Sequence, residues 1–285
     1  MRSKFEAGNN LCDNETNLFT LGEPMNPTLE VLFQRRSVRA YTDLPLAADH
    51  RETILQAAFR APTAGNMMLY SIIEVEDQAI KDRLAETCDH QPFIARAPFL
   101  LLFLADYQRW MDAFDFAGAP RRAAELGLPQ RRPQEGDLLL AMSDALIAAQ
   151  NAVIAAESLG VGSCYIGDIL EQYEVHREMF NLPRYTLPVT LVCFGYPKRE
   201  TPPGLAPRYA AEFILHRNQY QRLQEQDAQR MFAPIQERYF SAGNYYNGAQ
   251  NLAQHFYLRK FTADFSFEMS RSTRAMIRAW CAEEE

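Results

Sequence analysis

The chain has 285 residues, 47% hydrophobic and 23% charged, enough apolar material for one large domain or two small ones. Its net charge of -7 excludes a general attraction to nucleic acid or an anionic membrane, so an anionic ligand needs a local basic site. The five cysteines (Cys12, Cys88, Cys164, Cys193, Cys281) and five scattered histidines show no metal or C-x-x-C spacing, which points to a reducing cytoplasm and no metal centre.

Residues 1–26 are polar and aperiodic and read as a loose arm. The apolar spacing of 29–33 predicts a helix that runs out into Arg35-Arg36-Ser37-Val38-Arg39-Ala40-Tyr41. That segment packs three guanidiniums and a hydroxyl into five positions. A guanidinium is a rigid fork of donors that matches two oxygens of a phosphate or carboxylate. Taken alone, the cluster equally fits a solvated helix end, where cations meet unpaired carbonyls.

A second helix is expected over 47–60, stopped by Pro62. The turn-like Ala61-Pro62-Thr63-Ala64-Gly65-Asn66 follows, then a strand over 71–76 and a helix over 78–87. The continuous Phe/Leu run 98–105 reads as a fully buried strand. Residues 107–136 mix aromatics, glycines, prolines and charges, and read as an irregular or partly helical segment of the kind that covers a site. The longest helix is expected over 137–159, closed by Gly160. Its many alanines allow close packing, and Ser143, Asp144, Gln150 and Asn151 mark it as a buried or interface helix rather than a membrane span.

Strands over 163–166 and 188–194 enclose a helix over 170–180. The tail shows helical patterns at 217–231, 233–240, 249–260 and 264–281, with Gly243-Asn244 between them. Its Phe256, Phe261, Phe265, Phe267 and Trp280 are expected to pack on a partner subunit, since so many exposed aromatics would be costly. Gly160-Val161-Gly162 starts like a dinucleotide fingerprint, but Tyr165 stands where the third glycine belongs. No nucleophile–histidine–acid set emerges.

Four segments in order carry a family resemblance: the Arg35–Arg39 cluster, Ala61 through Asn66, Leu159-Gly160-Val161-Gly162-Ser163-Cys164-Tyr165-Ile166-Gly167, and Val192-Cys193-Phe194-Gly195-Tyr196-Pro197 with Pro207-Arg208. Over 27–216 the chain resembles the nitroreductase family, and the tail 217–285 is similar to the helical extension of a longer subgroup. The resemblance implies an α+β fold: a central mixed, mainly antiparallel sheet flanked by helices, in an intertwined homodimer with extra C-terminal helices. It also implies FMN as cofactor, NADH or NADPH as reductant, and a nitroaromatic, quinone or similar small-molecule acceptor in a ping-pong cycle.

Arg35 and Ser37 suit the phosphate or ribityl end of such a flavin, with Arg36 adding charge. Arg39 would stabilise negative charge at N1 and the C2 carbonyl of the reduced ring. The resemblance further implies that Arg208 is a second phosphate clamp. It places Pro62, Thr63, Ala64 and Asn66 against the flavin of the partner subunit. It lays the backbone of Tyr165, Ile166 and Gly167 along the isoalloxazine, with the Gly167 N–H toward N5, and adds Gln91 at the pyrimidine edge. Arg39 and Gly167 are the candidates for a direct part in catalysis. Two departures stand out: Ala206 replaces a base common in relatives, and Met68-Leu69-Tyr70 replaces Gln-Pro-Trp. Two other readings share these residues: a specialised flavoenzyme such as a dehalogenase or dehydrogenase, and a non-catalytic flavin-binding protein.

Overall fold

A computed structural model describes residues 26–198 and 205–282. The expected arm lies outside the described residues except for Asn26, whose side chain accepts from Thr28 N and caps helix α1, Pro27–Gln34.

The sheet is built on two strands without an exposed residue, β2 (Phe99–Asp106) and β4 (Thr186–Gly195). They are flanked by β1 (Tyr70–Glu74) and β3 (Gly162–Ile166), in the order β1-β2-β4-β3. Every neighbouring pair is antiparallel; a parallel bridge between Ser37 and Ser163 extends the β3 edge. Both faces are covered, so β2 is a continuous apolar run rather than an alternating one. Leu101, Phe103 and Ala105 join the core under α2 (Ala48–Phe59) and α6 (Glu135–Ser158). Leu100, Leu102 and Leu104 join the opposite core with Leu84 of α3 (Gln78–Thr87), Val38 and Ile169. Pro188 lies inside β4 opposite Leu104, where the register slips between Phe103 and Leu104. A bulge tolerates a residue that cannot donate to the ladder.

Helix α6 is long and apolar enough to cross a membrane by length and composition alone. Its alanine stripe and Asp144 are instead buried in the core. It starts at Glu135 on a reciprocal cap between Gln134 and Asp137, and Gly160 at φ 72° ends it. Much of 107–136 is helical: α4 (Gln108–Phe116) and α5 (Ala119–Glu125) meet at left-handed Gly118.

The tail departs from its expected pattern. Residues 217–224 are not helical; Asn218 has φ 65° there. A single helix, α8 (Glu225–Phe240), runs through Pro234 and spans the break expected at residue 232. After α7 (Tyr173–Met179) in the main body and α9 (Leu252–Phe256) in the tail comes α10, Asp264–Cys281. Trp280 does not meet a partner. It is fully buried in its own subunit, edge-on to Tyr185 at 5.4 Å, and its indole N–H donates to Gln134 O at 3.2 Å. Phe261 and Phe267 do remain 70% and 64% exposed, which leaves them free for an external surface.

Helix α10 also caps α7. Gln172 N donates to Glu268 Oε1 and Tyr173 N to Ser272 Oγ, each at 3.0 Å. Arg271 adds a forked pair to Glu174 at 2.9 and 2.8 Å. The last helix is therefore tied to the turn that leaves β3.

Candidate active site

The arginine segment is held by two glycines. Gly162 and Gly195 face each other across β3 and β4. A Cβ on Gly162 would sit 2.6 Å from Val38, and one on Gly195 would sit 2.7 Å from Tyr41. Glycine alone lets the chain after α1 lie this close to the sheet. Val38 N then donates to Ser163 O at 2.8 Å, Thr42 N to Tyr196 O at 2.9 Å, and the Tyr41 hydroxyl to Val38 O at 2.6 Å.

This packing brings Arg35, Ser37 and Arg39 alongside Cys164 and Tyr165. Arg39 is exposed, with its guanidinium 6.0 Å from the Phe93 ring centre. Burial pushes the Tyr165 hydroxyl up to about 12 against the opposing charge of Arg35. Burial also raises Glu157, near the end of α6, against the pull of Arg35 and Arg36. Ile166 is buried, and exposed Gly167 begins a turn, Gly167–Leu170, in which Ile169 is buried. A Cβ on Gly167 would meet nothing within 4 Å, so the space before this backbone is open. Gln91 lies beside the same turn; its Nε2 donates to Asp168 Oδ2 at 2.7 Å and Cys88 O at 2.9 Å.

The segment Pro62–Asn66 is organised elsewhere, by Asp144 of α6. Its carboxylate accepts from the Thr63 hydroxyl, from Ala64 N at 3.0 Å and from Leu69 N at 3.1 Å. Gly65 and Asn66 are both left-handed, at φ 56° and 58°, and Pro62 and Asn66 are exposed. Sequence reasoning took Asp144 only as an interruption of an apolar helix. The usable signal was chemical: a carboxylate among buried alanines must find donors.

Asp144 anchors one group and Glu157 neighbours the other, thirteen residues apart on α6. At 1.5 Å per residue they stand about 20 Å apart along the helix axis. The two segments are thus organised at different points along α6, with Gln150, which accepts from the Tyr165 hydroxyl at 3.1 Å, between them. Arg208 is exposed, with Nη1 3.5 Å from Ala206 O. Residues 199–204, which lead to it, lie outside the described residues.

Ser37 bridged to the β3 edge, with Arg35, Arg36 and Arg39 around it and an exposed glycine backbone with open space before it, gives this α+β fold a donor set suited to a phosphate. Residues 32–196 match the nitroreductase family, and the chain belongs to it. It is similar to the oxygen-insensitive NADPH nitroreductase of Salmonella typhimurium, 35% identical over 220 residues, 77% of this chain and 85% of that one. It is also similar to the NADPH-flavin oxidoreductase of Vibrio harveyi, 30% identical over 218 residues, 76% of this chain and 84% of that one. The structure of B. megaterium NfrA2 covers 92% of this chain and 100% of its own, at TM-score 0.74 and 28% identity.

Proposed function

We propose that the protein is an FMN-dependent oxidoreductase that takes hydride from NADPH or NADH and reduces a nitroaromatic, quinone or flavin acceptor. The observation that carries this reading is the locking of Arg35, Ser37 and Arg39 against the Gly167 strand end by Gly162 and Gly195. The donor set fits FMN, which has one phosphate to clamp and no adenylate to house. The names of the relatives from Salmonella typhimurium and Vibrio harveyi support the same chemistry. When bound, FMN supplies the two-electron chemistry at its N5.

The chain's own residues supply position and charge. Arg35 and Ser37 hold the phosphate, with Arg36 and Arg208 adding positive field. Arg39 would lie at the N1 and C2-carbonyl side of a bound flavin, where its charge would favour the reduced ring. Tyr165 and Ile166 would form the wall, and the Gly167 N–H would be the donor toward N5. The Gln91 amide nitrogen is already engaged, which leaves its carbonyl for the pyrimidine edge.

Pro62, Thr63, Ala64 and Asn66 complete the site of a second subunit, which accounts for their separation from Arg35. Leu139, Leu140, Leu146 and Ile147 of α6 are 65%, 51%, 46% and 39% exposed. Leu29, Leu32 and Phe33 of the neighbouring α1 are exposed too. An apolar face of this extent is a surface for another copy of the chain. In this reading 27–216 is the flavin-binding body, 217–285 a helical extension, and the enzyme works in the cytoplasm. Anaerobic mixing with NADPH or NADH should bleach the bound flavin, and a quinone should restore its colour. Colourless protein that takes up no FMN would overturn the proposal.

A further inference from the structure

The turn after β3 carries acids that flavin binding does not use. Glu171 is only 5% exposed, and its Oε1 has no hydrogen-bond partner. Its backbone N–H donates to Asp168 O at 3.0 Å, which sets its carboxyl on one tight turn with that of Asp168, the residue after Gly167. Gln91 holds one oxygen of Asp168 at 2.7 Å. The charges that raise Glu171 most are Asp168 on its own turn, Asp89 after α3 and Glu268 on α10, all carboxylates. Arg271, the cation nearest Glu268, is engaged with Glu268 and Glu174. Cys88 is a buried thiol raised by desolvation, with Asp168 and Glu171 adding to the effect. His176 of α7 is buried between Ile169 O and the Thr87 hydroxyl, and burial, with a smaller push from Arg83, disfavours its charged form. Burial, then repulsion from these carboxylates, pushes Glu171 up to about 7.

We propose that Asp168 and Glu171 form a proton store for the acceptor step, in which Glu171 keeps one proton and passes it through Asp168 to the acceptor in front of Gly167. This rests on the function proposed above. Reduction of a quinone to a hydroquinone needs two electrons and two protons. The hydride carries both electrons and one proton. The second proton leaves the carboxyl pair, which becomes two carboxylates and is reprotonated by water. Glu171 acts through Asp168 and is a positioning residue; Asp168 is the group that meets the acceptor.

The first test uses FMN-free protein. Infrared difference spectra should show a protonated-carboxyl band that disappears as pH rises through about 7 and that Glu171→Gln removes. Stability should also fall between pH 4.5 and about 7 as Glu171 is forced to ionise, and Glu171→Gln should flatten that fall. His176, lowered by burial, tilts the curve the other way in both proteins, so their difference isolates Glu171.

The second test uses loaded enzyme and a quinone in stopped flow. The acceptor step should slow as pH rises through about 7. Glu171→Gln and Asp168→Asn should slow it by about tenfold or more relative to nicotinamide reduction and abolish that pH profile, while Glu171→Asp restores it. A carboxyl band that titrates in the ordinary carboxylate range overturns the proposal. So does a Glu171→Gln enzyme whose flavin is reduced normally and whose acceptor step keeps the wild-type rate and pH profile; that result leaves the flavoenzyme reading intact. Protein that takes up no flavin overturns the function on which the inference rests.

Discussion

Gly162 and Gly167 stand five residues apart and carry opposite expectations. A methyl on Gly162 would collide with Val38, so Gly162→Ala should destabilise the fold by about 1–3 kcal/mol and displace the arginine segment. A methyl on Gly167 meets nothing in the chain, so Gly167→Ala should leave stability unchanged and weaken flavin binding. Urea unfolding beside FMN fluorescence titration separates the two. Arg35→Ala should weaken FMN binding about ten- to a hundredfold, the loss of one charge-assisted contact. Arg39→Gln should spare binding more and lower the two-electron potential by about 30 mV, measured by dye-coupled anaerobic titration. The arginine cluster was legible in the sequence because guanidinium chemistry is local to the side chain. Asp144 was not, because its partners Thr63 and Ala64 lie some eighty positions away. The glycine at 162 was visible, but the reason for it appears only when Val38 lies on top.

Buried strands and capped helices announced themselves, since β2 is one apolar run and Gly160 ends α6 where expected. The tail was harder. The pattern pauses at residue 232, just before Pro234, yet α8 continues through both, while the segment before Glu225 keeps a helical pattern without forming a helix. A proline weakens a helix locally, and tertiary contacts such as Tyr209 on Phe232 decide the outcome. The hold of α10 on α7 gives a pH prediction. The hydrogen bond from Arg271 takes Glu174 from 4.5 down to about 2. Its stabilising contribution is therefore complete above about pH 4.5 and is lost as pH falls toward 2. Both groups are well exposed, so the effect should be small and screened by salt. Protection of the α10 amides, corrected for intrinsic exchange, should fall slightly over that window in wild type, and in Arg271→Ala it should be slightly lower and lack that pH dependence.

At the scale of the whole molecule, about 20 Å of α6 separates two groups of residues that the flavin site needs together. In the proposed enzyme a second copy of the chain would bring them together, and the exposed leucines of α6 would give that copy a surface. Leu146→Glu should therefore yield monomers by light scattering and lose the flavin with them. The family fold could be foreseen from the order of its motifs, and the same resemblance implied the division of the site between copies; spacing along the sequence could not, because it does not say which copy supplies a residue. The most direct measurement uses mixed dimers of Arg35→Ala and Asn66→Ala protomers. If each site draws Arg35 from one subunit and Asn66 from the other, a mixed dimer keeps one intact site. It should bind FMN that NADPH bleaches, while either variant alone binds flavin weakly. Mixed dimers with no more NADPH-reducible flavin than the two parent variants would contradict a site shared between subunits.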